Sequence, residues 1–197
     1  MGARGKTKPE RTADIYDLAS LEQGRRTASV RFDRPGETAM RGDHHREMNR
    51  IIFITGPDTG VGKTFFAAAL SRALRSDGVK VAALKPICSG GRDDARLARV
   101  AAGNVLSLDE VNPWHFRAAL APVLAGRLER KRVRLREVVA HVRRVAKQFE
   151  IVVVEGAGGL LSPMGEDFDS RELIAALDAW PVIVCPNKLG AVNQVLL

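Results

Sequence analysis

Apolar residues in this chain recur in two rhythms. Short, largely β-branched runs, Ile51-Ile52-Phe53-Ile54, Val79 to Leu84, Ile151-Val152-Val153-Val154 and Val182 to Cys185, have the length and character of buried strands. The pattern predicts strands over 51–55, 79–84, 151–154 and 182–185. Between them the period lengthens to that of helices, predicted over 63–76, 93–102, 121–130, 134–149 and 170–177, with a loop through Val111-Asn112-Pro113. In the first helix Phe66, Ala69, Leu70, Ala73 and Leu74 are expected on one apolar face, and Gly78 stops it. In the helix over 134–149, Leu135, Val138, Val139, Val142, Ala146 and Phe149 form a stripe from which Arg136, Arg143, Arg144 and Lys147 point away. Alternating strand and helix signals predict an α/β fold with a mainly parallel sheet and helices on both faces.

The pattern weakens at both ends. Residues 1–47 hold 10 Lys/Arg, 8 Asp/Glu and 13 hydrophobic residues without a sustained period, so they are expected to be a disordered basic extension, or a mis-assigned leader before a start at Met48. The final apolar run, Ala191 to Leu197, makes barely two helical turns without a polar exit, and the domain over 48–197 is expected to lack a C-terminal part.

Of 197 residues, 31 are Lys or Arg and 23 Asp or Glu, a net charge of +8 that suits anionic partners. No run is long and apolar enough for a membrane span and none reads as a signal peptide, so a soluble, cytoplasmic protein is expected. Two cysteines allow at most one bridge, and a reduced setting is the simpler reading. Cys185, within a strand, is expected to be a small core residue, and Trp114 and Phe116 to pack.

Between the first strand and the first helix lies Gly56-Pro57-Asp58-Thr59-Gly60-Val61-Gly62-Lys63-Thr64. A glycine-rich turn entering a helix lets backbone N–H groups close round phosphate oxygens, with Lys63 bridging the β- and γ-phosphates and Thr64 ligating Mg²⁺. Pro57 stands where the strict motif has glycine, so this is a variant loop one residue longer. The fold expected is thus of P-loop NTPase type. Glu155 follows an apolar strand and precedes Gly156-Ala157-Gly158-Gly159, a position suited to a second magnesium ligand. Asp93 and Asp94 open a helix, where N-capping and metal binding are both open. In an open α/β sheet ligands gather beyond the carboxyl ends of the strands. The loop, Lys85, Glu155 and Pro186-Asn187 all fall there, which makes Lys85 and Ser89 candidates for contact with the γ-phosphate or acceptor.

Taken in order, the loop over 56–64, Lys85-Pro86 to Ser89-Gly90, Val111-Asn112-Pro113, Val154-Glu155-Gly156-Ala157-Gly158-Gly159 and Lys188-Leu189-Gly190 with Asn193 resemble the dethiobiotin synthetases, over about 49–197. The resemblance implies ATP- and Mg²⁺-dependent closure of a ureido ring on 7,8-diaminopelargonate and CO₂, through a phosphorylated carbamate, in biotin synthesis. It implies Lys85, Thr59, Ser89 and Lys63 as catalytic. Asp58, Gly60, Val61, Gly62, Lys63, Thr64, Glu155, Gly156, Ala157 and Gly158 would lie round the nucleotide, with Thr64, Asp94 and Glu155 round Mg²⁺. It also implies a homodimer, in which Gly190, Ala191, Val192 and Asn193 of one subunit receive the substrate carboxylate at the other's site. Pro57 departs from the threonine usual in the family's loop, and Cys88 from a small apolar residue.

Other readings are a variant P-loop ATPase of the cobyrinate-amidating or chromosome-partitioning type, or a truncated homologue without turnover. Asp58 occupies the position of the partitioning ATPases' signature lysine, which disfavours that class. Arg127, Arg130, Lys131, Arg132, Arg134 and Arg136 invite a nucleic-acid reading, but no aromatic residues interleave for base stacking, and the run reads as a solvated face. His44 and His45 lie in the expected extension, and His115 and His141 have no companion at metal-ligand spacing, so solvated or packed imidazoles are expected.

Overall fold

A computed structural model describes residues 50–196. The expected extension over 1–47, with His44 and His45, lies outside the described residues. In chain order the elements are β1 (Arg50–Thr55), α1 (Lys63–Ser76), β2 (Val81–Leu84), β3 (Ile87–Ser89), α2 (Asp93–Ala101), α3 (Leu108–Val111), β4 (Trp114–Phe116), α4 (Pro122–Leu128), α5 (Leu135–Ala146), β5 (Ile151–Glu155), α6 (Ser170–Leu177), β6 (Trp180–Ile183) and α7 (Ala191–Leu196).

Four strands form one parallel sheet in the order β2-β5-β1-β6. Its register pairs Ile54 with Glu155, Leu84 with Val154 and Thr55 with Ile183, so the strands end nearly level and the loops that leave them share one edge. Side chains alternate across the sheet. Ile51, Phe53, Val152 and Val154 join the core beneath α5 and α6, while Ile54, Val81 and Val153 pack with Ala67 of α1 on the opposite face. This is the expected α/β architecture with helices on both faces. The small parallel pair β3-β4 extends beyond β2 and was not expected from the sequence, nor was α3. These elements have three or four residues, too few to show a period. The Ser107/Glu110 capping box that opens α3 is legible as Ser107-Leu108-Asp109-Glu110.

Four expectations change. On α1 the buried residues are Lys63, Ala67, Ala68 and Ser71, whereas Phe66, Ala69 and Ala73 are exposed. The phosphate loop fixes the helix phase by turning Lys63 inward. Residues at four-residue steps from it face the sheet, and Ser71 satisfies its hydroxyl on the Ala67 carbonyl at 2.7 Å. The last strand covers 180–183 rather than 182–185, because β1, its one partner among the described residues, ends at Thr55 and leaves a single further bond, Val184 N–H to the Thr55 carbonyl. Cys185 is consequently exposed rather than a core residue. Neither Asp93 nor Asp94 caps α2, whose N-cap is Arg92 without a side-chain cap. The stripe of α5 matches expectation and gains His141, buried with Nε2 2.7 Å from the Glu110 carbonyl oxygen. Phe116 is buried and Trp114 half-buried against His141.

Candidate active site

The level ends of β1, β2 and β5 enclose a cleft of about 620 Å³ lined by Thr59, Gly60, Gly62, Lys63, Thr64, Lys85, Ser89, Asp94, Glu155, Ala157 and Gly158 from among the expected residues. Its floor begins with the loop after β1. Gly62, the residue before α1, has φ 101°, a left-handed conformation that strains any side chain, so the turn into the helix requires glycine there. Gly159 packs so closely on the loop that a Cβ would come within 2.8 Å of the Pro57 carbonyl oxygen, and Leu160 N–H donates to the Gly56 carbonyl at 3.0 Å. The glycine run after β5 therefore braces the phosphate loop.

Lys63 is buried at the start of α1, and its Nζ donates to the Asp58 carbonyl at 2.5 Å. This arches the loop round the ammonium. Burial and the neighbouring Lys85 lower its pKa, against the pull of Glu155, Asp58 and Asp94. A second cation so close is repelled unless anions arrive, so the pair is suited to anionic groups.

Lys85 follows β2 and is also buried. Its Nζ donates to Glu155 Oε1 at 2.6 Å and to the Gly156 carbonyl at 3.0 Å, and lies 3.4 Å from Asp94 Oδ2. Burial opposes its charge, but Glu155 and Asp94 outweigh it and the pKa is raised, so the site holds a fixed ammonium. Breaking such an enclosed pair from one side costs about 3–5 kcal/mol.

Glu155 Oε1 also accepts from the Thr64 hydroxyl at 2.7 Å. Its other oxygen, Oε2, is buried without a partner among the described residues, as is Ser89 Oγ. The orphaned carboxylate oxygen, the Thr64 hydroxyl and, across the Lys85 ammonium, the second carboxylate of Asp94 are oxygen donors of the kind that suits Mg²⁺. Two acidic groups leave further coordination positions to phosphate oxygens and water, the usual arrangement for this ion.

Not every expected residue meets here. Asp58 contributes its carbonyl to Lys63, Gly156 its carbonyl to Lys85, and Val61 packs behind the loop, but none of the three lines the cleft. Gly190, Ala191, Val192 and Asn193 lie apart, round a separate hollow with Lys188 and Leu196 at the start of α7. Sequence reasoning missed the far wall, Ile87, Cys88 and the stretch from Ala119 to Pro122. The buried Cys88 thiol is pushed up to about 11, chiefly by burial, so it faces the cleft as a neutral group. The one signal for that wall was the Lys85-Pro86 to Ser89-Gly90 segment, which carries Ile87 and Cys88. The arginine run lies elsewhere, with Arg127 paired to Glu166 and Lys131 to Glu129. Among the described residues no helix is long and apolar enough to cross a membrane.

The sequence profile of a family described as an AAA domain matches residues 50–197. The chain is 35% identical over 147 residues to the ATP-dependent dethiobiotin synthetase of Methanococcus vannielii, which covers 75% of this chain and 70% of that protein. It is 40% identical over 151 residues to the synthetase of the same name from Bacillus licheniformis (74% and 64%), and 43% identical over 152 residues to that of Anaeromyxobacter dehalogenans (75% and 68%). The chain thus spans about two thirds of the length of these relatives. By this likeness the chain belongs to the dethiobiotin synthetase family.

Proposed function

We propose that this chain is an ATP-dependent carbon–nitrogen ligase that closes the ureido ring of dethiobiotin on 7,8-diaminopelargonate and CO₂, in the cytoplasm. The observation that carries the reading is the convergence of Lys63, Lys85 and Glu155 on one cleft at the ends of three adjacent strands. Two inward ammonium groups suit a reaction in which two anions, a carbamate and a triphosphate, must approach each other.

One substrate amine takes up CO₂ and loses a proton, giving a carbamate. A carbamate oxygen then attacks the γ-phosphorus of ATP and ADP departs. The second amine attacks the carbamoyl carbon and gives up a proton, inorganic phosphate leaves, and the ring closes. Lys63 and the amides of Gly60, Val61 and Gly62 hold the phosphates, while Asp58, Gly156, Ala157 and Gly158 shape the nucleotide's surroundings. Lys85 holds the carbamate and neutralises charge as phosphoryl transfer proceeds. Thr59 and Ser89 donate hydrogen bonds, and the unpartnered Ser89 hydroxyl supports this assignment. Thr64, Asp94 and Glu155 hold Mg²⁺, which when bound screens the phosphate charge. Positioning and charge neutralisation supply most of the acceleration in such reactions.

The unit that does this is residues 48–197 in a homodimer, with Gly190, Ala191, Val192 and Asn193 of a second copy receiving the substrate carboxylate. Support for the dimer comes from the exposure of Val192 and Leu196 on α7, 72% and 79%. The test is mass-spectrometric detection of dethiobiotin after incubating the chain with 7,8-diaminopelargonate, bicarbonate, Mg²⁺ and ATP. Product is expected from the wild type and none above background from Lys63→Ala; no product from folded wild type overturns the proposal.

A further inference from the structure

Asn112 ends α3 and is only 1% exposed. A buried primary amide has two N–H groups and a carbonyl to satisfy. Its Nδ2 donates to the carbonyls of Lys85 at 2.9 Å and Pro86 at 3.2 Å, with that of Trp114 at 3.4 Å. Its Oδ1 accepts from Arg92 Nε at 3.0 Å. The Arg92 guanidinium also donates to the main-chain carbonyls of Leu108 and Asn112 and to Asp109 Oδ1, at 2.9, 3.0 and 2.8 Å. On the other side of Lys85, its own N–H donates to the Val111 carbonyl at 3.1 Å.

Both peptide groups that flank the Lys85 Cα are therefore held by Val111-Asn112, while its ammonium is held by Glu155 and Gly156. The same cluster reaches the other side of the cleft, because Arg92 is the residue before α2, and α2 carries Asp94 in its first turn. Two groups that face the reacting phosphate, Lys85 and Asp94, thus hang from one amide–guanidinium pair that lines no part of the cleft.

We infer that Asn112, held in plane by Arg92, is a positioning residue for the reaction: it sets the Lys85 main chain, and with Arg92 the start of α2, so that Lys85 Nζ and Asp94 meet the phosphoryl group in register. The inference rests on the function proposed above. The side chain must be an amide because it donates at one end and accepts at the other. Aspartate has the same shape but turns an acceptor toward the Lys85 and Pro86 carbonyls, which repel it.

The experiment compares the 197-residue wild type with Asn112→Asp and Arg92→Lys, using variants whose thermal unfolding shows a folded chain. Two readouts are taken. Steady-state kinetics separate kcat from the KM for ATP, and cyanate carbamylation followed by peptide mass spectrometry gives the labelling of Lys85 relative to exposed Lys80. For Asn112→Asp, kcat is expected to fall on the order of a hundredfold with KM for ATP within about threefold, since an ångström of misplacement costs that much in rate but little in binding. Lys85 labelling relative to Lys80 rises about tenfold as its enclosure loosens. Arg92→Lys, which keeps the charge but loses the fork, moves both readouts the same way by less. It decides the matter alone if Asn112→Asp does not fold.

Folded variants with wild-type kcat and wild-type labelling overturn the inference. So does a loss of rate that merely tracks the unfolded fraction, the mark of a structural role only. If the wild type makes no dethiobiotin, the proposed function fails. The labelling ratio then still reports on Asn112: a ratio that does not move overturns it as the seat of Lys85, and one that rises upholds it.

Discussion

The apolar runs Ile151-Val152-Val153-Val154 and Val182-Ile183-Val184-Cys185 read alike in sequence, yet the first forms most of β5 while only Val182 and Ile183 of the second enter β6. β5 lies between β2 and β1, and Val152, Val153, Val154 and Glu155 are all buried. Among the described residues β6 pairs on one side only, with Trp180 53% and Ile183 47% exposed. An apolar run states that a segment seeks cover, not how many neighbours it will have. Lys85 and Glu155 belong to the covered side, and enclosure there lets their charges act at close range. The turn before α7 belongs to the open side, and among the described residues it lines a hollow separate from the cleft.

The widest gap between the two sides is in chemistry. Lys85→Ala is expected to reduce product formation on the order of a thousandfold, as for loss of a group aimed at developing charge, while MgATP binding by calorimetry stays within about threefold. Loss of nucleotide binding instead would move Lys85 from the reaction to the nucleotide pocket. Leu189→Ser on the open side, away from the cleft, should likewise leave MgATP binding alone; a loss of nucleotide binding there would show that the turn before α7 reaches the phosphate loop.

The two cysteines test the same division. Cys185 is exposed, whereas Cys88 is enclosed with its thiol pushed up to about 11. Iodoacetamide at about pH 8 should label Cys185 on the order of a hundredfold faster, since the thiolate is the reacting form. Comparable rates would show that the covered side opens freely to solvent.

Packing gives a smaller effect. Val153→Ala should cost about 1–3 kcal/mol in denaturant unfolding and Ile183→Ala within about 0.5 kcal/mol. Equal losses would mean that another surface covers β6 in solution.

Smallest is the pH response of His141 on α5. Burial, with Arg144 adding to it, lowers its pKa below the ordinary 6.5, outweighing the bond to Glu110. Above that value both folded and unfolded chains carry a neutral ring. As pH falls through it, the unfolded chain binds a proton that the folded chain refuses, so stability drops until the lowered native pKa is passed. His141→Gln should flatten this part of the stability curve, and an unchanged slope would assign the loss to other groups.

Much of the site could be read along the chain because it hangs on strand ends. The loop over 56–64, Lys85 and Glu155 each follow an apolar run directly, and a parallel sheet brings such positions to one edge. The residues that steady the site could not be read so. Asn112 and Arg92 stand 20 residues apart, and only the fold shows their side chains bonded to each other. The wall from Ala119 to Pro122 has no distinctive chemistry in sequence. On α1, hydrophobicity pointed to Phe66 and Ala73, but the loop had already set the helix phase through Lys63.

By itself the sequence determined what local chemistry and periodicity encode: the alternation of strand and helix, the phosphate-binding turn that needs glycine at 62, and the acid and lysine beyond apolar strands. The tertiary structure alone decided which of two similar strands lies inside the sheet and which at its edge, which face of α1 is covered, and which amide holds Lys85. Burial and hydrogen-bond partnership arise between segments distant in the chain, and no local pattern carries them.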